Sequence, residues 1–328
     1  MRQQLEVHDQ IWAKVKEFDC LTFFVHERPD FDALGSAFAF KELINNMYPH
    51  KKVYVMGTYK LDPELGASLF PFEKEPVDID FLERSLGIVF DTANAERILT
   101  GQHKLVKEII RIDHHPKTEI IGSIEWVDPT FSSTAEMIGW FIKWMGFKLN
   151  SIIAKYIYAG IITDTGRFLY LATTPSTFMM TAEILATGFN RNEVHDAVYL
   201  KPILEHKYYS YVVNHAKITK NGLAYIAIRK GAHKRFGIKS PMTMVHALNN
   251  INGVRIWTAI YFDDQSQKWK GSIRSYDVPI NHFAAMFNGG GHKFASGFSL
   301  DNKQDFYKLI KVLDDYLKTI DNDQLSQN

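Results

Sequence analysis

Four short segments place histidine or aspartate side chains directly after apolar runs of the chain. These segments hold His26, Asp30 and Asp32 after run 21–25, Asp91 after 87–90, Asp113, His114 and His115 after 109–112, and Asp164 after 157–163. The apolar runs predict parallel strands, whose carboxyl ends meet at one sheet edge about 4.8 Å apart, so we expect these groups to cluster. Clustered carboxylates repel one another unless a multivalent cation neutralises them. The sequence therefore predicts a metal centre.

The types of side chain in this cluster indicate which metal it would hold. Carboxylates mixed with imidazoles, with no thiolate nearby, favour Mn²⁺, with Mg²⁺ or Co²⁺ as alternatives. Six or more ligands are too many for one ion that keeps an open position, so we expect two divalent ions. Two ions about 3.5–4 Å apart can clamp a phosphoryl group and activate a water, without a serine or cysteine nucleophile. The competing interpretation makes Asp32 a helix cap and leaves His26 and Asp30 in a solvated loop.

The elements that must position these residues alternate along the first part of the chain. Apolar strand candidates are separated by helical periodicity at 32–47, 134–145 and 177–187, which is typical of an α/β fold with a doubly wound, mainly parallel sheet. A different pattern begins near residue 221 and predicts a smaller mixed α/β domain, with strands at 222–228, 254–262 and 269–275 and a terminal helix at 306–317. We expect a catalytic domain at 1–188, a helical connector at 189–220 and a substrate domain at 221–328, with the active-site cleft between the two domains.

The distribution of charge limits the classes of partner. The 328 residues carry a net charge of +1, but residues 1–220 hold 24 Lys and Arg against 28 acids, whereas 221–328 hold 14 against 9. This balance argues against a protein that coats long nucleic acid. Apolar runs are too short to cross a membrane, and the N-terminus lacks the apolar segment of a secretory signal, so we expect a cytoplasmic protein. Cys20 is predicted to be a buried small hydrophobe.

A glycine run in the basic part of the chain is the second candidate binding site. Gly289, Gly290 and Gly291 lack side chains that would keep an anion from the backbone, and His292 and Arg274 could donate to phosphate oxygens. Residues 222–300 contain 10 Lys and Arg against 3 Asp, which favours anion binding over a merely flexible turn. We therefore expect substrate to bind there.

Together these segments resemble a known family. HERPDFDALGS, FDTAN, RIDHHP and ITDTG are similar to the four successive motifs of the DHH phosphoesterases, and NGGGHKFASG resembles the signature of the DHH-associated C-terminal domain. The motifs span residues 26–297 in the family order. The length and the absence of further domains resemble the stand-alone NrnA-type subgroup, which degrades very short oligonucleotides and related phosphoadenosine compounds.

The resemblance implies a role for each residue of the cluster. His26, Asp30 and Asp91 would hold one ion, and Asp32, Asp91, His114 and Asp164 the other, with Asp91 shared. His115 would contact phosphate or protonate the leaving oxygen, the alternative being a merely structural histidine. Asp113 would orient the imidazoles.

The implied function is a two-metal phosphoesterase that releases mononucleotides. Its substrates would be short oligonucleotides, dinucleotides such as pApA, or 3′-phosphoadenosine 5′-phosphate (pAp), and a homodimer is possible within this family. Three alternatives stay open: an inorganic pyrophosphatase of the DHH branch, a RecJ-like exonuclease, and a catalytically silent nucleotide-binding regulator.

Overall fold

The chain folds into two compact units. The structure, a computed structural model, describes residues 2–58, 69–73, 75–238 and 241–325. The N-terminal unit is Met1–Leu200 and the C-terminal unit is Lys201–Asn328. Within the described residues, no helix is both long and apolar enough to cross a membrane.

The N-terminal unit is built on a five-stranded parallel sheet. In the order β2-β1-β3-β4-β5, its strands are β1 Cys20–Phe24, β2 Lys52–Val55, β3 Leu86–Phe90, β4 Glu108–Asp113 and β5 Ile124–Val127. Every residue of the central strand β3 is buried, because helices cover both faces of a doubly wound sheet. The predicted α/β class is confirmed, although the apolar pattern predicts no strand at β5.

Seven helices surround the described part of this sheet. They are α1 Arg2–Glu17, α2 Phe31–Met47, α3 Ile79–Glu83, α4 Thr134–Trp144, α5 Ser151–Asp164, α6 Pro175–Leu185 and α7 Arg191–Tyr199. Polar side chains at the N-caps fix where the helices begin: the Asp30 carboxylate accepts from two N–H groups of α2, and the Ser133 hydroxyl accepts from Glu136 N. The Glu136 carboxylate in the first turn of α4 accepts hydrogen bonds from Ser132 and Thr177.

The prediction of a strand at 157–163 is wrong, because these residues lie in helix α5. The Asn150 side chain accepts from Ile153 N and begins the helix. Helix α5 packs against α2, α4, α6 and α7, so nine of its fourteen residues are buried and no polar face interrupts the apolar run. A helix buried on several sides lacks the helical periodicity that would distinguish it from a buried strand. Asp164 therefore stands at the end of a helix rather than at the end of a strand.

Two glycines allow α2 and α5 to approach closely. A Cβ built on Gly35 would lie 2.5 Å from the carbonyl oxygen of Tyr156. A Cβ built on Gly160 would lie 2.5 Å from the Ala135 Cβ and 2.6 Å from the Asp32 Oδ1. Since side chains there would collide, these glycines set the distance at which Asp32 sits from α4 and α5.

The C-terminal unit contains a six-stranded mixed sheet, which confirms the mixed α/β class predicted for this part of the chain. In the order β10-β11-β9-β8-β7-β6, its strands are β6 Lys217–Ile218, β7 Leu223–Ala227, β8 Ile256–Asp263, β9 Lys268–Ser275, β10 Gly290–His292 and β11 Ala295–Leu300. Strands β7 and β8 pair in parallel and the other pairs are antiparallel. The helices of this unit are α8 Ile203–His215, α9 Asn281–Ala285 and α10 Gln304–Leu325. Apolar residues of α10 such as Phe306 and Leu313 share a buried core with Leu223 and Ile273 of the sheet.

The segment 189–220, predicted as a connector, contains two helices. Helix α7 packs against α5 in the N-terminal unit, whereas α8 packs against the 3₁₀ helix Pro241–Leu248 in the C-terminal unit. The two units meet in the sequence at Leu200 and Lys201. The functional division of the chain into catalytic, connecting and substrate-binding segments stays a prediction.

Candidate metal centre

The candidate metal ligands lie where three strands and one helix of the N-terminal unit end. His26 follows β1 and is buried, Asp30 caps α2, and Asp32 is fully buried in the first turn of α2. Asp91 follows β3 and adopts a left-handed backbone with φ of 52°. His114 and His115 follow β4, and Asp164 is the last residue of α5. The structure thus brings all six predicted ligands together, three of the four segments at the expected sheet edge and Asp164 from a helix.

These side chains form three overlapping groups whose ligand atoms lie within 4.8 Å of one another. In the first group, His26 Nε2 lies 3.6 Å from both Asp30 Oδ2 and Asp91 Oδ2. In the second, His114 Nε2 lies 3.4 Å from Asp164 Oδ2 and 3.9 Å from Asp32 Oδ2. The third group joins Asp91, His114 and His115, and His114 Nε2 lies 3.4 Å from Asp91 Oδ1. Asp91 therefore belongs to the first and third groups, and His114 belongs to the second and third; Asp91 is not a member of the group of Asp32, His114 and Asp164.

The spacing and chemistry of these atoms fit a bound divalent cation. Two donors that each lie about 2.1 Å from one ion are separated by about 3.0 to 4.2 Å, depending on the angle between them. The observed separations of 3.4–3.9 Å fall in this interval and are too long for good hydrogen bonds. Moreover, His114 Nε2 is buried and has no hydrogen-bond partner among the described residues, which is uncommon for a ring nitrogen.

The electrostatics of the cluster also favour a cation. Burial and the neighbouring Asp30 charge raise the pKa of Asp32 to about 7, and burial together with Asp32 raises the pKa of Asp91 well above its ordinary value. Burial and the nearby His115 lower the pKa of His114 to about 4, so its imidazole is neutral at pH 7. A multivalent cation would hold these carboxyl groups ionised and would accept the lone pair of a neutral imidazole.

The N-terminus of α4 holds part of this cluster in place. Asp32 Oδ2 accepts from Thr134 N at 2.7 Å and Asp32 Oδ1 accepts from Ala135 N at 2.8 Å. The Thr134 hydroxyl donates to Asp91 Oδ1 at 3.1 Å and accepts from His114 N at 3.3 Å. Sequence reasoning missed Thr134, whose only signal is its place at the start of a predicted helix.

Asp113 contacts His115 and a buried arginine. Asp113 Oδ1 accepts from His115 N at 3.1 Å and lies 2.8 Å from His115 Nδ1, while Asp113 Oδ2 accepts from Arg111. Arg111 is fully buried and also donates to the Glu119 carbonyl. Burial raises the pKa of Asp113, but the hydrogen bonds from His115 and Arg111 outweigh it and lower this pKa below its ordinary value. Asp113 is therefore an ionised group against the ring of His115.

The glycine run of the C-terminal unit forms strand β10 and the residue before it. A Cβ on Gly289 would lie 2.2 Å from the Gly297 carbonyl oxygen, and one on Gly291 would lie 2.7 Å from the Ala295 carbonyl oxygen, so packing against β11 requires both glycines. Gly290 has open space around it. Arg274, which is half-buried, and His292 pair with the same residue of β11 from opposite sides, but the side chain of His292 lies outside the described residues. Substrate binding by these residues stays a prediction.

Comparison with known proteins decides the family. Residues 21–161 match the DHH family, N-terminal domain, and residues 237–319 match the DHHA1 domain. The bifunctional oligoribonuclease and PAP phosphatase NrnA of Bacillus subtilis is 33% identical over 92% of this chain and 96% of that protein. The chain belongs to the DHH family of phosphoesterases. The resemblance drawn from the motifs is thereby confirmed, and with it the expectation of a metal-dependent hydrolase family.

Two further proteins illustrate the range of similarity. An uncharacterized protein of Mycoplasma genitalium is 61% identical over 93% of this chain and 94% of that protein. The crystal structure of an exopolyphosphatase-related protein from Bacteroides fragilis has a TM-score of 0.85 at 24% identity, covering 96% of this chain and 98% of the other. The latter similarity confirms the fold.

Proposed function

We propose that this DHH-family protein is a two-metal phosphoesterase that hydrolyses short oligonucleotides, dinucleotides or pAp to mononucleotides. The observation that carries the proposal is that Asp91 belongs to two of the three histidine–aspartate groups, and that His114 links Asp91 to the third. A single ion would leave several of these carboxylates unneutralised, whereas two ions would use all six residues. A cytoplasmic location remains part of this proposal.

In this proposal, the two ions are held by different sets of residues. His26, Asp30 and Asp91 hold one ion, and Asp32, Asp91, His114 and Asp164 hold the other. Imidazole and carboxylate ligands without a thiolate favour Mn²⁺, with Mg²⁺ or Co²⁺ as alternatives. When bound, such ions polarise phosphoryl oxygens and lower the pKa of a bound water.

His115 is the proposed proton donor or phosphate contact. Its Nδ1 faces Asp113 at 2.8 Å, so exchange of a proton with the leaving oxygen would use Nε2. The contact with Asp113 fixes the orientation of the His115 ring, and the hydrogen bond from Arg111 helps to keep Asp113 ionised. Asp113 and Arg111 are thus positioning residues that act through His115.

Two observations support nucleotides as the substrate class. The Bacillus subtilis relative is named as a bifunctional oligoribonuclease and PAP phosphatase. The segment 221–328, with 14 basic against 9 acidic residues, has the charge that phosphate groups require. We assign Arg274, His292 and Gly289–Gly291 to substrate binding within this unit.

The test is product analysis with a panel of substrates. The panel contains pApA, oligoribonucleotides of three to five units, pAp, pyrophosphate and a long single-stranded RNA, each with Mn²⁺, Mg²⁺ or a chelator. We expect mononucleotides from the short substrates and none with the chelator. Hydrolysis of pyrophosphate alone would favour the pyrophosphatase alternative, and processive degradation of only the long strand would favour the RecJ-like one.

A matched pair of variants tests the metal assignment. Asp91→Asn removes the shared negative charge, and asparagine tolerates the left-handed backbone at this position. Asp19→Asn changes an exposed carboxylate that precedes β1. We expect Asp91→Asn to lose at least about a thousandfold in turnover and to bind less than two ions per chain, and Asp19→Asn to match the wild type. Near-normal turnover of Asp91→Asn with two bound ions would contradict the proposal.

A further inference from the structure

The C-terminal unit contains a cavity that has no role in the proposed reaction. Its volume is about 760 Å³, within the range of pockets that bind small molecules and cofactors. Helix α8, strands β6 and β7, the 3₁₀ helix His233–Phe236 and the first turn of α10 supply its walls. The cavity therefore lies at the β6–β7 edge of the six-stranded sheet.

Four permanent cations line this cavity. They are Lys217, Arg229, Lys230 and Arg235, all exposed, and no carboxylate lies among the lining residues that the structure describes. None of the four forms an ion pair in the described part of the chain. The Nζ atom of Lys230 lies 3.7 Å from the centre of the Phe262 ring. By contrast the adjacent Lys234, which does not line the cavity, pairs with Asp264. Several cations that form no ion pair within the described residues create a positive potential that attracts a polyanion.

Aromatic rings line the same cavity. Tyr211 is half-buried, with its ring centre 5.8 Å from that of Phe236. Tyr307, on α10, lines the cavity with 49% of its surface exposed. Aromatic faces of this kind bind nucleobases by stacking, while cations beside them bind phosphates. The chemistry of the cavity therefore suits a ligand that combines a base with several phosphate charges.

The cavity is separate from the glycine run assigned to substrate. Gly290 and Gly291 lie on β10, at one edge of the sheet, and the cavity lies on β6 and β7 at the other edge. Four strand spacings of about 4.8 Å separate β10 from β7, or roughly 19 Å. Every lining residue except Tyr307 falls between 211 and 236, outside the segments that match the DHH and DHHA1 domains.

We propose that this cavity is a second nucleotide site, which binds a nucleotide with several phosphate charges. Arg229 and Arg235 bind its phosphates, and Tyr307 or Tyr211 stacks on its base. The nucleotide is either free or part of a single-stranded oligonucleotide. This site goes beyond the proposed hydrolysis, because none of its residues belongs to the candidate metal centre or to the glycine run.

Binding titrations in a chain that cannot hydrolyse its ligand test this proposal. The background carries Asp91→Asn, and a chelator is present throughout, so the result does not depend on the proposed activity. The probes are ATP, sodium triphosphate and a fluorescent twelve-residue oligoadenylate. The site variants are the double change Arg229→Ala/Arg235→Ala and the single change Tyr307→Ala, all at exposed positions. Lys234→Ala is the matched control, because it removes a neighbouring cation that does not line the cavity.

We expect both site variants to weaken binding of ATP, of the oligoadenylate or of both by about tenfold or more, and Lys234→Ala to change it less than twofold. An effect confined to ATP assigns the cavity to free nucleotides, and an effect confined to the oligoadenylate assigns it to a strand. Equal binding by the double variant and its background would overturn the site. Triphosphate binding as tight as that of ATP, together with no effect of Tyr307→Ala, would overturn the nucleotide assignment.

Discussion

Replacing Gly160 with alanine tests whether the packing of α5 sets the position of Asp32. The added methyl would lie 2.5 Å from the Ala135 Cβ and 2.6 Å from Asp32 Oδ1, whereas ordinary contacts are 3.4–4 Å. Something must therefore move by roughly 1 Å. Asp32 and Ala135 cannot move independently of each other, because Asp32 accepts two hydrogen bonds from α4 and Ala135 belongs to α4.

The expected effect on stability is modest and the effect on the site is large. Overpacking lowers the free energy of unfolding by about 1–3 kcal/mol, and the higher helix propensity of alanine offsets about 1 kcal/mol of this loss. Moving a ligand or its support by about 1 Å lowers metal affinity or turnover about 10- to 100-fold. We therefore expect Gly160→Ala to remain folded and to bind Mn²⁺ about 10- to 100-fold more weakly than the wild type.

Gly139→Ala is the control for this experiment. Gly139 also lies within a helix, but the three atoms nearest to its added methyl would all belong to the flexible side chain of Met180 rather than to backbone. Mn²⁺ titration, thermal melting and pApA turnover of both variants separate the local effect from a general loss of stability. If Gly160→Ala bound Mn²⁺ as tightly as Gly139→Ala did, the close approach of α5 would not be what places Asp32.

Three further predictions concern other residues. Burial between Trp126, Phe141 and Trp144 lowers the pKa of His8 to about 4, so protonation of the unfolded chain should reduce the free energy of unfolding as pH falls from 6.5 towards 4. At pH 5 the free energy of unfolding should be about 2 kcal/mol lower than at pH 7.5. Denaturant melts at these two pH values should show a smaller difference in His8→Leu than in the wild type. Thr134→Val should bind Mn²⁺ about tenfold more weakly because it loses the hydroxyl that donates to Asp91, and Thr134→Ser should restore binding; equal affinities would contradict this role. Arg274→Ala should raise the KM for pApA about tenfold without changing Mn²⁺ affinity, and an unchanged KM would remove Arg274 from substrate binding.

The sequence predicted those parts of the molecule that depend on local patterns. Each segment that holds candidate ligands follows an apolar run, so about a dozen consecutive residues are enough to predict it. The glycine run is likewise recognised from consecutive residues. Helix α5 was mistaken for a strand because its burial on several sides removes the periodic signal. The sequence nevertheless places Asp164 in the cluster, because the motif that contains Asp164 is local and does not depend on whether the preceding element is a strand or a helix.

Long-range contacts explain what the sequence did not show. Thr134 meets Asp32 across 102 positions of the chain, and only the folded structure reveals that the start of α4 supports the ligands. The cavity of the C-terminal unit is lined by residues of α8 and β7 and by the distant Tyr307, and together these residues form no sequence motif. Gly160 has no sequence signal for its role, since its importance lies in the atoms that an added methyl would meet.

The crowding of carboxylates in the N-terminal unit has a consequence for the amount of folded protein in a cell. Groups that repel one another oppose folding, and a cation that binds only the folded chain raises its stability in proportion to the logarithm of its concentration. Asp91→Asn should accordingly melt at a higher temperature than the wild type in a chelator, although we expect it to be inactive. A cell short of divalent metal would then lose this protein to proteolysis as well as losing its activity, so that metal supply would control abundance and turnover together.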